Sequence, residues 1–386
     1  MKILFTFAIS DFTGASRMGL SYVKALRDAG HEVICVSQEP PKEGESIVPR
    51  LRAEGFEVLH LGNFLTVANP LLVWRLAVLM RQRGVQLASS MNQGDVKTTA
   101  WAALLARVPY APQVQNLRMF GAGVGGRIKG ALYGLSMWAS TDLAIASSGA
   151  TEAETIRRFD VPAENVVCVH NAIDPSQLST FEPGAREALR AELGLEPHHF
   201  AFTCVGRLGE QKGQLVLLEA WAHFVRRFPH ARLLLVGDAG SGMAAEEAYK
   251  ARLLKMAEEL ELHDSVHFLG WRNDVAALHH ASDGYVHPAM WEGFPLAVLE
   301  AFGAGLPVIM SDCVGRPRGF VDDVHGYLVP KGEPAPLAAA MARLLEKNGA
   351  ERAAMGEACR ALLSQEFDIR RNARRLARCM ELAAQG

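Results

Sequence analysis

The sequence predicts an α/β protein of two doubly wound, Rossmann-like domains that face each other across a cleft. Short apolar runs of strand length alternate with longer amphipathic runs of helix length, which is typical of parallel sheets joined by helical crossovers. The alternation leads from a first strand at 3–9 to a strand at 166–170, and it starts again with a strand at 200–205. The chain has 386 residues, which is enough for two domains of roughly 100–200 residues each.

The first half consists of strand–helix units in which each strand is a short apolar run and each helix a longer amphipathic one. The first helix ends at Gly30, because glycine terminates helices readily. We expect strands at 3–9, 32–36, 57–60, 86–89, 113–115, 143–146 and 166–170. We expect helices at 19–30, 46–54, 69–84, 97–106, 127–140 and 152–159.

The second half repeats the pattern after a linker at 171–201. Proline and glycine interrupt regular structure in this linker, which also holds a charged helix at 185–193, so we predict domains at 1–172 and 173–369. The strands of the second half are expected at 200–205, 232–236, 266–268, 284–286 and 308–310. Its helices are expected at 212–228, 246–261, 275–281, 295–302, 336–346 and 350–365, with a last one near 370–384.

Composition and charge exclude several classes of protein. The formal net charge is −2, so there is no overall attraction to nucleic acid, and any contact with a membrane must be local. The six cysteines are scattered without a Cys-x-x-Cys pair, which is typical of reduced residues in a cytoplasmic protein. Residues 1–8 predict a strand rather than a signal peptide, and no apolar run approaches the length of a membrane span. His279, His280 and His287 lack the spacing to Cys or Asp that a metal site needs, so no metal is expected.

Two carboxylates, Glu292 and Glu300, lie in the most informative stretch of the chain, 287–309. The pattern predicts a loop, a helix that starts near Pro295, a tight turn with two glycines and a buried strand. The free N–H groups at the start of the helix would form an anion site beside the carboxylates, which suits a ligand with phosphates and hydroxyls. The alternative is an ordinary helix with one glutamate in solvent.

A second glycine-containing loop, at 204–213, follows the strand that opens the second half. It carries Arg207 and Lys212 between Gly206 and Gly213. In open α/β sheets ligands bind at the carboxyl ends of the strands, and an arginine together with a lysine matches a diphosphate. The alternative is a solvated loop with cations placed by chance.

Four motifs of the second half stand in the following order: Gly206-Arg207…Lys212-Gly213, Leu235-Val236-Gly237-Asp238, His267-Phe268-Leu269-Gly270 and Glu292-Gly293-Phe294…Leu299-Glu300-Ala301…Gly305-Leu306-Pro307-Val308. Together they resemble the retaining nucleotide-sugar glycosyltransferases of family 4, which have the GT-B fold. The first half resembles this family more weakly, through its first strand, the loop at Gly14 and the segment 171–174. In this fold the last helix crosses back onto the first domain, so the resemblance assigns 370–386 there.

The resemblance implies a role for each matching residue. Arg207 and Lys212 would neutralise the donor diphosphate, and Glu292 would hold hydroxyls of the donor sugar; these three are the candidate catalytic residues. Glu300 would accept hydrogen bonds from the ribose hydroxyls. The other donor-binding candidates are Gly14 and Ala15 on the loop after the first strand, Gly206, Leu269 within a base-pocket segment at 268–272, and Gly293, Phe294, Pro295 and Leu296 near the phosphate and sugar.

The implied reaction moves a hexose-type sugar from a nucleoside diphosphate sugar, the co-substrate, to a glycan or lipid-linked acceptor. Such reactions build cell-envelope polysaccharide, lipopolysaccharide or glycolipid. Fixed cations would stabilise the leaving diphosphate, and carboxylates would orient the sugar. The mechanism favoured for the family is front-face attack with retention, in which the leaving phosphate takes the acceptor proton and no side-chain nucleophile is needed. The sequence has no Asp-x-Asp motif, which fits the metal-independent chemistry of this fold.

The sequence departs from the family pattern in three places. Arg318 stands where a glutamate is expected, which predicts either a donor with an extra anionic group or a rewired ion pair. The strand at 113–115 leads into Gln115 and Asn116 where a histidine is usual, and amides form hydrogen bonds but do not titrate near neutrality. The first loop has one glycine of the usual pair and is followed by Arg17, which would either reach a phosphate or cap the helix.

Acceptor choice is expected in the first half. The stretches 71–83 and 127–140 combine aromatic and basic residues, which predicts either helices on the inner face of the membrane or core-facing helices with solvated cations. Two rival functions stay open: a sugar-nucleotide epimerase, for which no acid–base set is apparent, and a non-catalytic sugar-nucleotide binding protein, given the missing histidine and Arg318.

Overall fold

The computed structural model divides the chain into two compact units. The first unit combines Met1–Ala172 with Ile369–Gly386, and the second is Ile173–Asp368. The residues that the structure describes are 1–7, 14–37, 46–62, 69–91, 93–115, 124–178, 182, 184–240, 244–313 and 315–385.

The described part of the first unit contains seven strands, and every ladder between them is parallel. The strands are β1 (Lys2–Phe7), β2 (Glu32–Ser37), β3 (Glu57–His60), β4 (Leu87–Ser90), β5 (Gln113–Val114), β6 (Ala144–Ala146) and β7 (Val166–Cys168). They pair in the orders β3-β2-β1-β4 and β5-β6-β7. A single parallel bridge between Ala88 and Tyr110 connects the two groups of strands.

Helices connect these strands, and local side chains fix where several of them begin. Asn69 accepts the N–H of Leu71 (3.0 Å) ahead of Pro70, which needs no N–H partner at the first helical position. A reciprocal pair of hydrogen bonds between Ser148 and Thr151 starts the last helix before β7 in the same way. The helices are α1 (Gly14–Asp28), α2 (Ile47–Ala53), α3 (Pro70–Gln82), α4 (Gln93–Ala106), α5 (Val124–Ser140) and α6 (Gly149–Phe159).

The second unit is a six-stranded parallel sheet, as far as its described residues go. Its strands are β8 (Phe200–Val205), β9 (Ala231–Val236), β10 (Val266–Gly270), β11 (Gly284–His287), β12 (Val308–Asp312) and β13 (Gly326–Pro330). Its helices are α7 (Ala185–Glu192), α8 (Gln214–Arg227), α9 (Ala244–Glu259), α10 (Val275–Ala281), α11 (Leu296–Ala304), α12 (Pro334–Glu346) and α13 (Gly349–Glu366). The strand order is β10-β9-β8-β11-β12-β13, so the direction of winding reverses between β8 and β11. Ligands of doubly wound sheets bind beyond the carboxyl ends of the strands at that reversal.

An aromatic cluster holds α8 on this sheet. Trp221 is fully buried, and its ring meets the ring of Phe202 edge-on with 5.9 Å between centroids. Phe224 packs against both rings, and the indole N–H of Trp221 donates to Oγ of Ser265 (3.1 Å). Because the helix is fixed through its buried face, its first turn is held at the carboxyl end of β8.

The predicted α/β class with parallel sheets in both halves of the chain is confirmed, and the differences lie at element boundaries and at one edge strand. Helix α1 begins at Gly14 rather than at Gly19, and α11 begins at Leu296, with Pro295 as the extended residue before it. The strand β13 was not predicted, because only three apolar residues stand between a glycine and a proline there. An edge strand of that length gains its stability from pairing with β12, which no local pattern reveals.

The last helix, α14 (Ile369–Ala383), belongs to the first unit and packs against α1. Its apolar face is buried, and Leu376 and Met380 are fully enclosed. Nδ2 of Asn372 donates to the carbonyl of His170 (3.1 Å), which ties the helix to the end of β7.

We expect Leu376→Ala to destabilise the first unit by about 2–5 kcal/mol, because it removes buried apolar contacts and leaves a cavity. Leu382→Ala is the matched control: this leucine is about half exposed on the same helix and should change stability by about 0.5 kcal/mol or less. Denaturant unfolding of the full chain measures both. Equal midpoints for the two variants would show that α14 does not stabilise the unit.

Candidate functional site

The loop between β8 and α8 carries the two predicted cations. The N–H of Gly206 donates to the carbonyl of Val236 (2.9 Å), so the loop starts from the β8–β9 ladder. Nε2 of Gln214 donates to the carbonyl of Arg207 (2.9 Å), which ties the loop to the first turn of α8. A short 3₁₀ turn at Glu210–Lys212 then places its lysine directly before the helix.

The loop between β11 and α11 lies against this first loop. The N–H of Met290 donates to the carbonyl of Gln211 (2.8 Å). Gly213 has a φ of +68°, and a Cβ at this position would overlap the carbonyl oxygen of Pro288. Because only glycine combines this conformation with this approach, Gly213 sets how closely the two loops pack.

A third loop, after β12, supports the β11–α11 loop from behind. Gly315 has a φ of +94°, and a Cβ there would overlap the carbonyl oxygens of Glu292 and Gly293. The backbone that carries Glu292 therefore rests directly on the backbone of the third loop.

Lys212 and Glu292 form a largely buried ion pair where the strand order reverses. Nζ of Lys212 lies 2.5 Å from Oε2 of Glu292, and Nε2 of Gln211 donates to Oε1 (3.4 Å). Burial by itself would raise the pKa of Glu292, but Lys212 and the neighbouring His287 outweigh it and lower this pKa to about 2. Glu292 is therefore an anion near neutrality, so it accepts hydrogen bonds and does not donate a proton.

Arg207 pairs with Glu246 on α9, a residue that the sequence did not indicate. Nη1 of Arg207 lies 2.5 Å from Oε1 of Glu246, and Oε2 of Glu246 accepts the N–H of Gly240 (2.7 Å). Sequence reasoning missed Glu246 because it lies 39 residues from Arg207, and no spacing rule covers that separation. Each predicted cation thus stands beside a carboxylate from another part of the sheet edge.

The remaining donor-binding candidates of the second unit lie on the same edge of its sheet. Glu300 is buried inside α11, and Leu269 is the next-to-last residue of β10. The ring of Phe294 packs on the ring of Phe367 (5.4 Å between centroids), so any contact of Phe294 with a donor would come from its backbone. The roles of these residues toward base, ribose and sugar stay predictions.

In the first unit, Gly14 and Ala15 open α1, and Arg17 is exposed in the same first turn. Gly14 and Ala15 therefore lie in the first turn of α1 rather than on the loop that the sequence predicted. The reach of Arg17 toward a phosphate stays a prediction.

Gln115 is held by a chain of hydrogen bonds in the first unit. The hydroxyl of Tyr22 donates to Oδ1 of Asn171 (3.1 Å), and Nδ2 of Asn171 donates to Oε1 of Gln115 (2.8 Å). Nε2 of Gln115 is buried without a partner among the described residues. The amide therefore has a fixed orientation with one donor group left over, whereas Asn116 lies outside the described residues.

Two family models match the chain. "Glycosyltransferase Family 4" matches residues 12–177, and "Glycosyl transferases group 1" matches residues 185–362. The chain belongs to the family 4 glycosyltransferases. The predicted family is thereby confirmed, with one model on each compact unit.

Curated relatives align with this chain over part of their length. A D-inositol 3-phosphate glycosyltransferase from Mycobacterium sp. strain KMS is 36% identical over 182 residues, which are 44% of this chain and 39% of that protein. The UDP-Gal:alpha-D-GlcNAc-diphosphoundecaprenol alpha-1,3-galactosyltransferase of Escherichia coli is 29% identical over 218 residues, which are 55% of this chain and 53% of that protein. The chain thus spans between 39% and 53% of the length of these two relatives.

Solved structures match this chain over nearly its whole length. HepE from Anabaena, crystallised with UDP, has a TM-score of 0.86 at 24% identity and covers 99% of this chain and 100% of its own. Sucrose-phosphate synthase from Thermosynechococcus elongatus has a TM-score of 0.81 at 21% identity, with 100% of both chains covered. These likenesses show the fold, which is GT-B.

Arg318, where the family pattern has glutamate, is exposed on the loop after β12. Its neighbour Arg316 pairs with Asp312 at 3.4 Å, whereas Arg318 forms no ion pair with the residues that the structure describes. Its effect on donor choice stays a prediction. The described residues also contain no group of three or more His, Cys, Asp or Glu side chains placed to hold a metal ion.

We expect Gly315→Ala to weaken binding of a nucleoside diphosphate at least about tenfold, because the new Cβ must push the backbone of Glu292 and Gly293 out of place. Gly349→Ala is the control, since a Cβ at that helix start meets no atom within 4 Å. Calorimetric titration with UDP compares the two variants with the wild type. Equal affinities in all three would show that the third loop does not shape the site.

Proposed function

We propose that the protein is a retaining glycosyltransferase that moves a hexose-type sugar from a nucleoside diphosphate sugar to a glycan or lipid-linked acceptor. The single observation that carries the proposal is the Lys212–Glu292 ion pair at the strand reversal, with Arg207 on the same loop as the lysine. Three side chains at that place supply two cations for a diphosphate and one carboxylate for sugar hydroxyls.

The charges of the site match the charges that develop during glycosyl transfer. The leaving diphosphate gains negative charge as the glycosidic bond breaks, and Lys212 and the guanidinium of Arg207 would stabilise it. Nη1 of Arg207 contacts Glu246, and the planar guanidinium matches the geometry of phosphate oxygens, which it can bind through two N–H groups at once. We propose that these cations make a metal ion unnecessary.

The ionised state of Glu292 supports retention by front-face attack. A carboxylate with a pKa of about 2 accepts hydrogen bonds from sugar hydroxyls and does not protonate a leaving group near neutrality. The leaving phosphate would then take the proton of the acceptor on the same face of the sugar, which requires no side-chain nucleophile.

The names of similar proteins support a uridine diphosphate hexose as the donor. HepE has been crystallised with UDP-glucose, and the Escherichia coli relative is named for UDP-galactose.

A panel of UDP-, GDP- and ADP-hexoses, each with and without EDTA, tests donor and metal together. A new glycoside with free UDP supports the proposal, and its α or β configuration reports retention or inversion. A changed sugar nucleotide would mean an epimerase, and binding without turnover a non-catalytic protein.

We expect Lys212→Ala to lower kcat/KM for the sugar donor by at least about 100-fold, because the leaving diphosphate loses a fixed positive charge. The variant should keep the fold, as measured by circular dichroism. Lys255→Ala is the control, because that lysine is exposed on α9 and pairs only with Glu259 (3.5 Å) among the described residues. Unchanged turnover in Lys212→Ala would remove the diphosphate assignment.

We further propose that the acceptor is met at an anionic membrane surface through α5. Four apolar side chains of this helix, Val124, Ile128, Leu135 and Trp138, are exposed at spacings of four, seven and three residues, which place them on one side. The first turns of α5 also carry exposed Arg127 and Lys129, and α3 exposes Leu71 and Trp74 beside Arg75. Exposed apolar rows flanked by cations suit the headgroup region of an anionic bilayer. In the described part of the chain no helix is both long and apolar enough to span a bilayer.

We expect the protein to co-sediment with vesicles that contain anionic lipid and not with purely zwitterionic vesicles. The double variant Ile128→Ser, Trp138→Ser should lose most of this binding. Each of these apolar side chains would contribute about 1.5–3 kcal/mol to binding when it enters the bilayer. Leu254→Ser, at an exposed leucine of the second unit, is the control. Equal sedimentation of both variants, or none by the wild type, would contradict a membrane role for α5.

A further inference from the structure

His287 is a buried histidine at the end of β11, directly beside the ion pair of the donor loops. Its side chain is 4% exposed. Nδ1 lies 3.4 Å from the hydroxyl of Tyr285, and Nε2 lies 3.5 Å from Oε2 of Glu292. That oxygen already accepts a hydrogen bond from Lys212, and the 3.5 Å separation leaves Nε2 at the outer limit of hydrogen-bond distance from it.

His287 is neutral while Lys212 holds Glu292. Burial lowers its pKa below the ordinary histidine value, and the charge of Lys212 lowers it further, whereas Glu292 acts in the opposite direction. A neutral imidazole has one N–H, so it cannot serve both Tyr285 and Glu292 as a donor.

A second proton on the ring would satisfy the whole chain of groups. The hydroxyl of Tyr285 is within reach of the carbonyl of Val205 (3.4 Å), to which it can donate. With an imidazolium at 287, Nδ1–H would donate to Tyr285 and Nε2–H to Glu292. The side chains around His287 can therefore accept both N–H groups of a charged ring. While Lys212 neutralises Glu292, a second positive charge on His287 is not needed.

The donor would remove that lysine from its partner. A diphosphate bound by Lys212 competes with Glu292 for the ammonium group, and a buried carboxylate left without a counter-ion is strongly destabilising. We propose that His287 is a positioning residue: when a donor diphosphate draws Lys212 away, His287 takes up a proton from solvent and becomes the counter-ion that holds Glu292 in place. This inference rests on the proposed role of Lys212 at the diphosphate.

Four other titratable groups near His287 cannot serve as the counter-ion of Glu292. Burial raises the pKa of Cys204 to about 12 and that of Cys313 to about 11, raises the pKa of Tyr285 well above its ordinary value, and lowers the pKa of His279 to about 3. These groups are thus neutral near pH 7. The groups that face the cluster are Tyr285 on β11, Cys204 on β8, His279 on α10, Glu300 on α11, Cys313 after β12, and Lys212 and Glu292 themselves.

The first test needs no nucleotide. In Lys212→Met the lysine charge is absent, so the pKa of His287 should rise above its wild-type value, measured by ¹⁵N NMR of the imidazole rings. The resonance is assigned by its absence in His287→Gln or, if that variant does not fold, by through-bond correlation. His223, exposed on α8, is the internal control and should titrate identically in both proteins. An unchanged titration of His287 would overturn the inference.

The second test is calorimetric titration with UDP near neutral pH in two buffers of different ionisation enthalpy. The wild type should take up more protons per bound UDP than His287→Gln. The comparison between proteins is needed because a terminal phosphate itself titrates near about pH 6. Equal proton uptake in both proteins would overturn the role of His287 and leave the proposed function standing. No binding of UDP by the wild type would instead remove the proposed donor.

Discussion

The ion pair between Lys212 and Glu292 is the interaction on which the candidate site depends. Its two partners come from loops 80 residues apart, and they meet because β8 and β11 are neighbours at the reversal of the strand order. The other features of the site hold these two loops in contact. Gly213 lets one loop approach the other, Gly315 supports the second from behind, and the Trp221 cluster fixes the helix that follows the lysine. A parallel sheet thus turns two distant short motifs into one arrangement of charges.

The sequence predicts most of this fold because parallel strands buried on both faces are nearly continuous apolar runs. The strands at 200–205 and 57–60 have the predicted bounds, and α10 does as well. The misses have a common cause. The strand β13 is stabilised by pairing with β12, which a short window of sequence does not show. The first turn of α1 precedes the periodic apolar residues of that helix, so the apolar pattern does not reveal it.

The site could be predicted only where a residue type and its local neighbours carry the chemistry. Arg207, Lys212 and Glu292 stand in loops whose glycines and strand ends are readable, and so they were found. Glu246 and His287 were not, because their importance comes from contacts across the sheet edge. Glu246 is an ordinary helical glutamate in sequence, and His287 is one of thirteen histidines. The same holds for Tyr22, which helps to orient Gln115 through Asn171, a residue 56 positions from Gln115 in the chain.

The pairing of both cations with carboxylates affects how strongly the site attracts small anions. Arg207 with Glu246 and Lys212 with Glu292 sum to no net charge, so the free loops project little field into solvent and give anions little electrostatic steering. Inorganic phosphate would have to compete with a carboxylate at each cation and would bring no base, ribose or sugar to compensate. Only a ligand that gains contacts elsewhere along the sheet edge can win that exchange. In the proposed function, the carboxylates beside the cations would therefore disfavour the binding of small anions such as phosphate.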